Sequence, residues 1–289
     1  MAAAAMRDSP GATAAGAALL QGHSIEITAK DQFQLDLLQG RIPPATPIAI
    51  TFLPGEDFDS RVTAARRVRE AGFTPVPHIS ARRIHAEAEL ENFLEALVDT
   101  ASVDRVFVVA GDLPQPTGPF EDALAVIRSG LLARYGIEQV GIAGYPEGHP
   151  AISREALDKA LFDKLEALRA AGHESWIATQ FGFDADPVLA WLANIRARGV
   201  DADVRIGVAG PASVKALLRF AARCGVGVSA KVMAKYGLSI TQLLGSAGPG
   251  PLIDALTDGL DPRVHGDVRL HFYPFGGLEK TAEWIAARL

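Results

Sequence analysis

Residues Arg105–Pro114 read RVFVVAGDLP, and this stretch decides how the rest of the chain is read. From Arg105 to Gly111 the residues are apolar almost without a break, and a strand is predicted over them. The run is too short for a helix and too continuous for a strand with one wet face. It fits a parallel strand covered on both sides. The run ends at Gly111, where the polar Asp112 and the turn-forming Pro114 follow. Helical periodicity then sets in over Pro119–Tyr135. A buried strand, a polar turn and an amphipathic helix make up the βα unit of a parallel sheet.

The same unit recurs on either side. Further strands are predicted at Ser24–Thr28, Pro47–Phe52, Thr74–Ser80, Gln139–Pro146, Ser175–Phe181, Asp203–Gly210 and Val268–Phe275. Helical segments are predicted at Asp57–Gly72, Ala86–Ala101, Ser153–Gly172, Asp186–Gly199, Pro211–Gly225 and Gly276–Leu289. Three of them close on Gly72, Gly172 and Gly199 with arginines in the last turn, which suits both the left-handed helix end and the macrodipole. Eight βα units with right-handed crossovers close into a (β/α)8 barrel, with an open doubly wound sheet as the alternative. Residues 23–289 are expected to form this one catalytic domain. Residues 1–22, rich in alanine and glycine, are expected to be a flexible leader. Val226–Pro262 is less regular, and Gly245–Pro251 reads as a loop.

Composition narrows the function classes. The chain of 289 residues is 48% hydrophobic, enough for one sizeable core, and its net charge of −6 argues against a nucleic-acid partner. Cys224 is the only cysteine, so neither an internal disulfide nor a cysteine-based metal site is expected; a small buried apolar role is. No apolar run reaches membrane-spanning length, and the opening residues lack the basic start of a signal peptide. A cytoplasmic protein with no membrane partner is expected.

In a barrel of this kind, polar groups at strand C-terminal ends meet at one mouth. The candidates are Glu26 on the first strand, Thr51 on the second, His78 and Ser80 on the third, and Gly111-Asp112 after the fourth. Tyr145, Glu147 and His149 follow the fifth, Thr179 and Gln180 end the sixth, and His271 and Tyr273 sit on the last. A carboxylate inside an apolar strand costs several kcal/mol unless paired or put to use, which makes Glu26 a candidate general acid; the alternative is an outward-facing edge glutamate. Asp112 reads equally as a site residue or as a cap of the following helix. Gln180 suits a heterocyclic amide. His78 follows a proline and His149 precedes one, so both are expected at turns, and their spacing fits no metal pattern. The glycines of GVAG in the seventh strand could admit a ligand to the backbone. No Walker loop, nucleophile elbow or GxGxxG after a strand is present. An aldolase-like barrel would want a lysine at a strand end, and neither Lys30 nor Lys231 stands at one.

Six short motifs occur in order: SIEI at Ser24–Ile27, PHIS at Pro77–Ser80, GDLP at Gly111–Pro114, YPEGHP at Tyr145–Pro150, TQFGFD at Thr179–Asp184 and HFYPF at His271–Phe275. Together they resemble the methylenetetrahydrofolate reductase family of (β/α)8 barrels. The resemblance implies reduction of 5,10-methylenetetrahydrofolate to 5-methyltetrahydrofolate, with hydride passing from NADH or NADPH through FAD. It implies that Glu26 is the acid that opens the methylene bridge, that Asp112 lies between flavin and pterin, and that Gln180 holds the pterin. It places Thr51, His78, Gly111, Asp112, Tyr145, His149 and Lys164 on flavin contacts. A folate is then the expected small-molecule partner, with self-association as an option. The chain departs from the family pattern at Ala110, where an arginine is usual. It departs again at Gly276-Gly277 and along Phe162–Arg169, where cations for the flavin phosphates are fewer. A member working without tightly bound flavin, or a non-redox folate-binding protein, is the alternative.

Overall fold

The computed structural model describes residues 14–53, 55–224, 226 and 246–289; Lys231 lies outside them. In chain order the strands are β1 (Ser24–Thr28), β2 (Pro47–Thr51), β3 (Thr74–Ser80), β4 (Arg105–Val109), β5 (Gln139–Gly144), β6 (Glu174–Thr179) and β7 (Asp203–Ala209). They are followed by β8 (Ala212–Ser213), β9 (Ser246–Ala247) and β10 (Val268–Tyr273). Eight of them close in the order β1-β10-β7-β6-β5-β4-β3-β2, all neighbours parallel, while β8 and β9 form a separate antiparallel pair. This is the (β/α)8 barrel expected from the alternation, in one domain.

Each barrel strand divides its side chains between two cores, because successive residues point to opposite faces. Ile25, Ile27, Ile48, Ile50, Val106 and Val108 point outward and are buried among the helices. The inward positions form a second, smaller cluster of Ala49, Val76, Phe107 and Ala178, with Trp176 packed against it. This division explains the continuous apolar reading of β4.

Several elements differ from the expectation. The helix expected over Pro119–Tyr135 is two short ones, Ala123–Arg128 and Leu131–Arg134, because Gly130 between them takes a φ of 76°. The second half of the expected leader is a helix, Ala14–Leu20, whose Leu20 is buried against the barrel; residues 1–13 lie outside the described ones. A 3-10 segment, Ala29–Leu38, follows β1, its start held by Asp31, whose carboxylate accepts from the amide and hydroxyl of Thr28. At the expected loop, β9 pairs with β8 and a helix, Gly250–Gly259, begins at once with Pro251 in its first turn. His78 is inside β3, opposite Phe107, and not at a turn: Pro77 restricts the residue before it toward the extended conformation and leaves His78 free to pair. Cys224 is half-buried. The cap of the helix after β4 is Asp122, whose side chain accepts from the Ala125 amide.

Candidate functional site

Glu26 is the middle residue of β1, and the strand alternation that sends Ile25 and Ile27 outward sends its carboxylate into the lumen. Its Oε2 lies 3.6 Å from Nε2 of His78 and 3.8 Å from Nε2 of His271. Both gaps are somewhat longer than a hydrogen bond, so a small side-chain rotation closes either one. Burial drives the pKa of His78 down to about 4, against the pull of Glu26, with His271 and Arg61 adding to the fall. His78 is therefore neutral at neutral pH, and Glu26 faces an imidazole there instead of a fixed cation. The His78 ring also leans on Phe107 at 4.8 Å between centroids. On the far side, the Ser24 hydroxyl lies 2.8 Å from Nδ1 of His271. Tyr273 donates to the carbonyl of Thr179 at 3.0 Å, and burial raises its phenol pKa well above the ordinary value.

These groups border a lumen cavity of about 360 Å³. Its inner end is formed by Glu26, His78, Phe107, Trp176, His271 and Tyr273. Its other end reaches residues at the strand starts, among them Arg105, Glu174, Asp203, Arg205 and Arg269. There Asp203 pairs with both Arg269 and Arg205, and Arg105 pairs with Asp104.

The remaining candidates fall into separate places. Asp112 neither caps a helix nor enters the lumen: its Oδ1 takes both Nε and Nη2 of Arg83, at 2.8 and 2.6 Å, on an exposed loop. Gly111 before it has a φ of 94°, a conformation that favours glycine, and packs over Ser80. Thr51 ends β2 beside Thr28. Tyr145 and His149 meet edge to face at 5.6 Å, and burial raises the Tyr145 phenol. The Gln180 side chain accepts from the Phe181 amide at 3.1 Å and lines a narrow crevice with Tyr145, Glu147 and Cys224. Lys164 is half-buried on the helix Arg154–Ala170, where Asp122 is the charge it feels; desolvation lowers its pKa and Asp122 raises it. The glycines of GVAG serve packing: a Cβ on Gly207 would meet the Thr179 carbonyl oxygen at 2.4 Å, and one on Gly210 would meet the Thr281 hydroxyl at 2.4 Å. Ser24 and Trp176, and the use of His271 beside Glu26, were not anticipated as parts of the site. Counting by twos along β1, β6 and β10 from Glu26, Ala178 and Tyr273 would have found them.

Among the described residues no helix is long and apolar enough to cross a membrane, and no group of three His, Cys, Asp or Glu is placed to hold a metal.

A solved structure described as an uncharacterized protein from Clostridium thermocellum that binds two copies of 5-methyl-5,6,7,8-tetrahydrofolic acid superposes with a TM-score of 0.61. It covers 92% of this chain and 93% of its own at 10% identity, a likeness of fold. Methylenetetrahydrofolate reductase 2 of Saccharomyces cerevisiae is 28% identical over 122 residues, which are 39% of this chain and span only 20% of that relative's length. The sequence model of methylenetetrahydrofolate reductase matches residues 45–242, which hold six of the eight barrel strands, β2 to β7, and on this match the chain belongs to the methylenetetrahydrofolate reductase family.

Proposed function

We propose that this chain reduces 5,10-methylenetetrahydrofolate to 5-methyltetrahydrofolate, with a reduced nicotinamide as the source of hydride and Glu26 as the general acid. The observation that carries the reading is the setting of Glu26: a carboxyl inside the barrel, beside a neutral His78 and beside His271. A carboxyl beside a neutral imidazole can keep a proton and release it, where one locked to an arginine would stay ionised. Protonation of a bridge nitrogen opens the methylene ring to an iminium ion, which then accepts hydride. Gln180 and Asp112 are assigned to the pterin, Gln180 by rotating its amide away from Phe181 and Asp112 by leaving Arg83.

FAD is the hydride carrier that the resemblance implies, with Thr51, His78, Gly111, Asp112, Tyr145, His149 and Lys164 as its contacts. The described side chains do not fit that cofactor well. His78 faces Glu26, Lys164 is half-buried beside Asp122, and Arg83 is engaged by Asp112. No step is therefore derived through flavin, and direct transfer from the nicotinamide is the reading these contacts favour. The absorption spectrum of the purified protein, before and after FAD is added and the excess removed, separates the two. Retained flavin bands would establish the carrier, and a colourless protein that still turns over would establish direct transfer.

The test of the reaction itself is Glu26→Gln. General acids contribute on the order of 10²–10⁴-fold, so folate turnover should fall by that factor while the folate still binds. Near-normal turnover in the folded variant would overturn the assignment. A parent protein that binds a reduced folate and turns nothing over would instead establish a folate-binding protein.

A further inference from the structure

The lumen of a (β/α)8 barrel is ordinarily filled by layers of branched side chains. Here the inward positions beside Glu26 are small. Ala49 pairs with it in register, Val76 pairs with Ala49, and Ala178 lies across the lumen. The consequence is the cavity of about 360 Å³, which begins at Glu26 and ends at the strand starts, on the face opposite the mouth. Its far end is polar and reaches solvent: Glu174 is exposed, and Gln139, Asp203, Arg205 and Arg269 are half-buried. A space of that size has room for on the order of ten waters, with polar groups at both of its ends to hold them. Ser24 stands one layer below Glu26 on the same strand and lines the cavity, with its hydroxyl on Nδ1 of His271, whose Nε2 faces Glu26.

From this we infer that Glu26 regains its proton from the floor of the barrel, through water in the lumen cavity and the Ser24–His271 pair, and not through the mouth. The inference rests on the reading of Glu26 as the general acid. Each turnover then consumes one proton. The Glu26 O–H bond breaks as its proton passes to a bridge nitrogen, and the C–N bond to that nitrogen breaks with it. Hydride from the reduced nicotinamide adds to the iminium carbon, and nicotinamide leaves oxidised. The carboxylate left behind must take a proton from water before the next cycle. Folate and hydride donor fill the mouth during the chemical step, whereas among the described residues the floor is open. The titratable groups facing Glu26 are His78, His271 and Tyr273. His78 is neutral and Tyr273 donates to Thr179, so the Ser24–His271 pair is the hydrogen-bonded one leading toward the floor.

The test compares single and multiple turnovers in Val76→Phe, which fills the cavity, and in Ser24→Ala, which removes the hydroxyl without adding bulk. With enzyme in excess over methylenetetrahydrofolate, the first turnover uses a proton already in place and should match the parent. With substrate in excess, kcat should fall about tenfold or more in Val76→Phe and several-fold in Ser24→Ala. KM for the folate should stay unchanged, and the solvent isotope effect on kcat should rise. A folded variant set that cycles at the parent's rate would overturn the route. So would first and later turnovers falling together, since that pattern marks distortion of the site. Glu26→Gln separates the two levels: if it keeps its first turnover, the assignment of the acid fails and the route fails with it. If it loses that turnover while Val76→Phe cycles normally, only the route fails. Should Val76→Phe not fold, the Ser24→Ala comparison decides alone.

Discussion

Replacing His78 by asparagine should change how stability depends on pH, by an amount the structure sets. In the unfolded chain a histidine takes up a proton near pH 6.5, whereas in the barrel burial holds His78 neutral down to about pH 4. Between those values the unfolded state binds more protons than the native one, so stability falls as pH falls. The contribution is fully present above about pH 6.5, declines through the window, and is gone once pH passes below about 4. A drop from 6.5 to about 4 corresponds to about 3 kcal/mol. His23, also buried and also held below its ordinary pKa, contributes in the same direction, so the parent curve alone does not isolate His78. The difference between the two curves does. Urea unfolding followed by circular dichroism, at half-unit steps from pH 4.5 to 7.5, should show the parent losing more stability on acidification than His78→Asn, by up to that amount. The absolute stability of the variant matters less than its slope, since the substitution also disturbs the packing on Phe107. Parallel curves would refute the argument. They would mean that His78 takes up its proton in the barrel as readily as in the unfolded chain, so that burial does not hold it neutral down to about pH 4.

Asp112→Asn should leave the fold intact, because its ion pair with Arg83 is half open to water and pairs of that kind contribute about 0–1 kcal/mol; a melting temperature within a few degrees of the parent, with altered turnover, is the expected pair of results. Arg61→Met should cost about 2–4 kcal/mol in chemical denaturation, because the buried guanidinium donates to the His78 carbonyl at 3.0 Å and lies within 4.6–4.8 Å of the rings of Phe52, Phe58 and Phe93. Gly207→Ala should destabilise by about 2 kcal/mol or more, since its new methyl would stand 2.4 Å from a backbone oxygen that cannot move aside cheaply. Gly111→Ala should cost about 1 kcal/mol from its positive φ, since the methyl would make only an ordinary van der Waals contact with Ser80. Unchanged stability in either glycine variant, read by the same denaturation assay, would show that the backbone there adapts.

The sequence by itself determined the repeating unit: alternating buried strands and amphipathic helices call for a parallel sheet covered by helices, and eight such units are present. An open doubly wound sheet was the alternative, and the closed barrel is what the structure decided. The glycines at 72, 172 and 199, all with positive φ, ended their helices where local chemistry required. Family membership was legible as well, because GDLP, YPEGHP and TQFGFD are local strings. What sequence could not decide is which side chains meet. Asp112 and Arg83 are 29 positions apart and His271 and Ser24 are 247 apart, and only barrel closure, which sets β10 beside β1, brings the second pair to 2.8 Å. The placement of His78 against Glu26, and of Lys164 among the helices, depends likewise on strand register and helix rotation. Local propensity carries no information about those quantities. The cavity below Glu26 is the furthest from the sequence of all, since it arises from small residues on strands far apart in the chain that share one layer only after the barrel has closed.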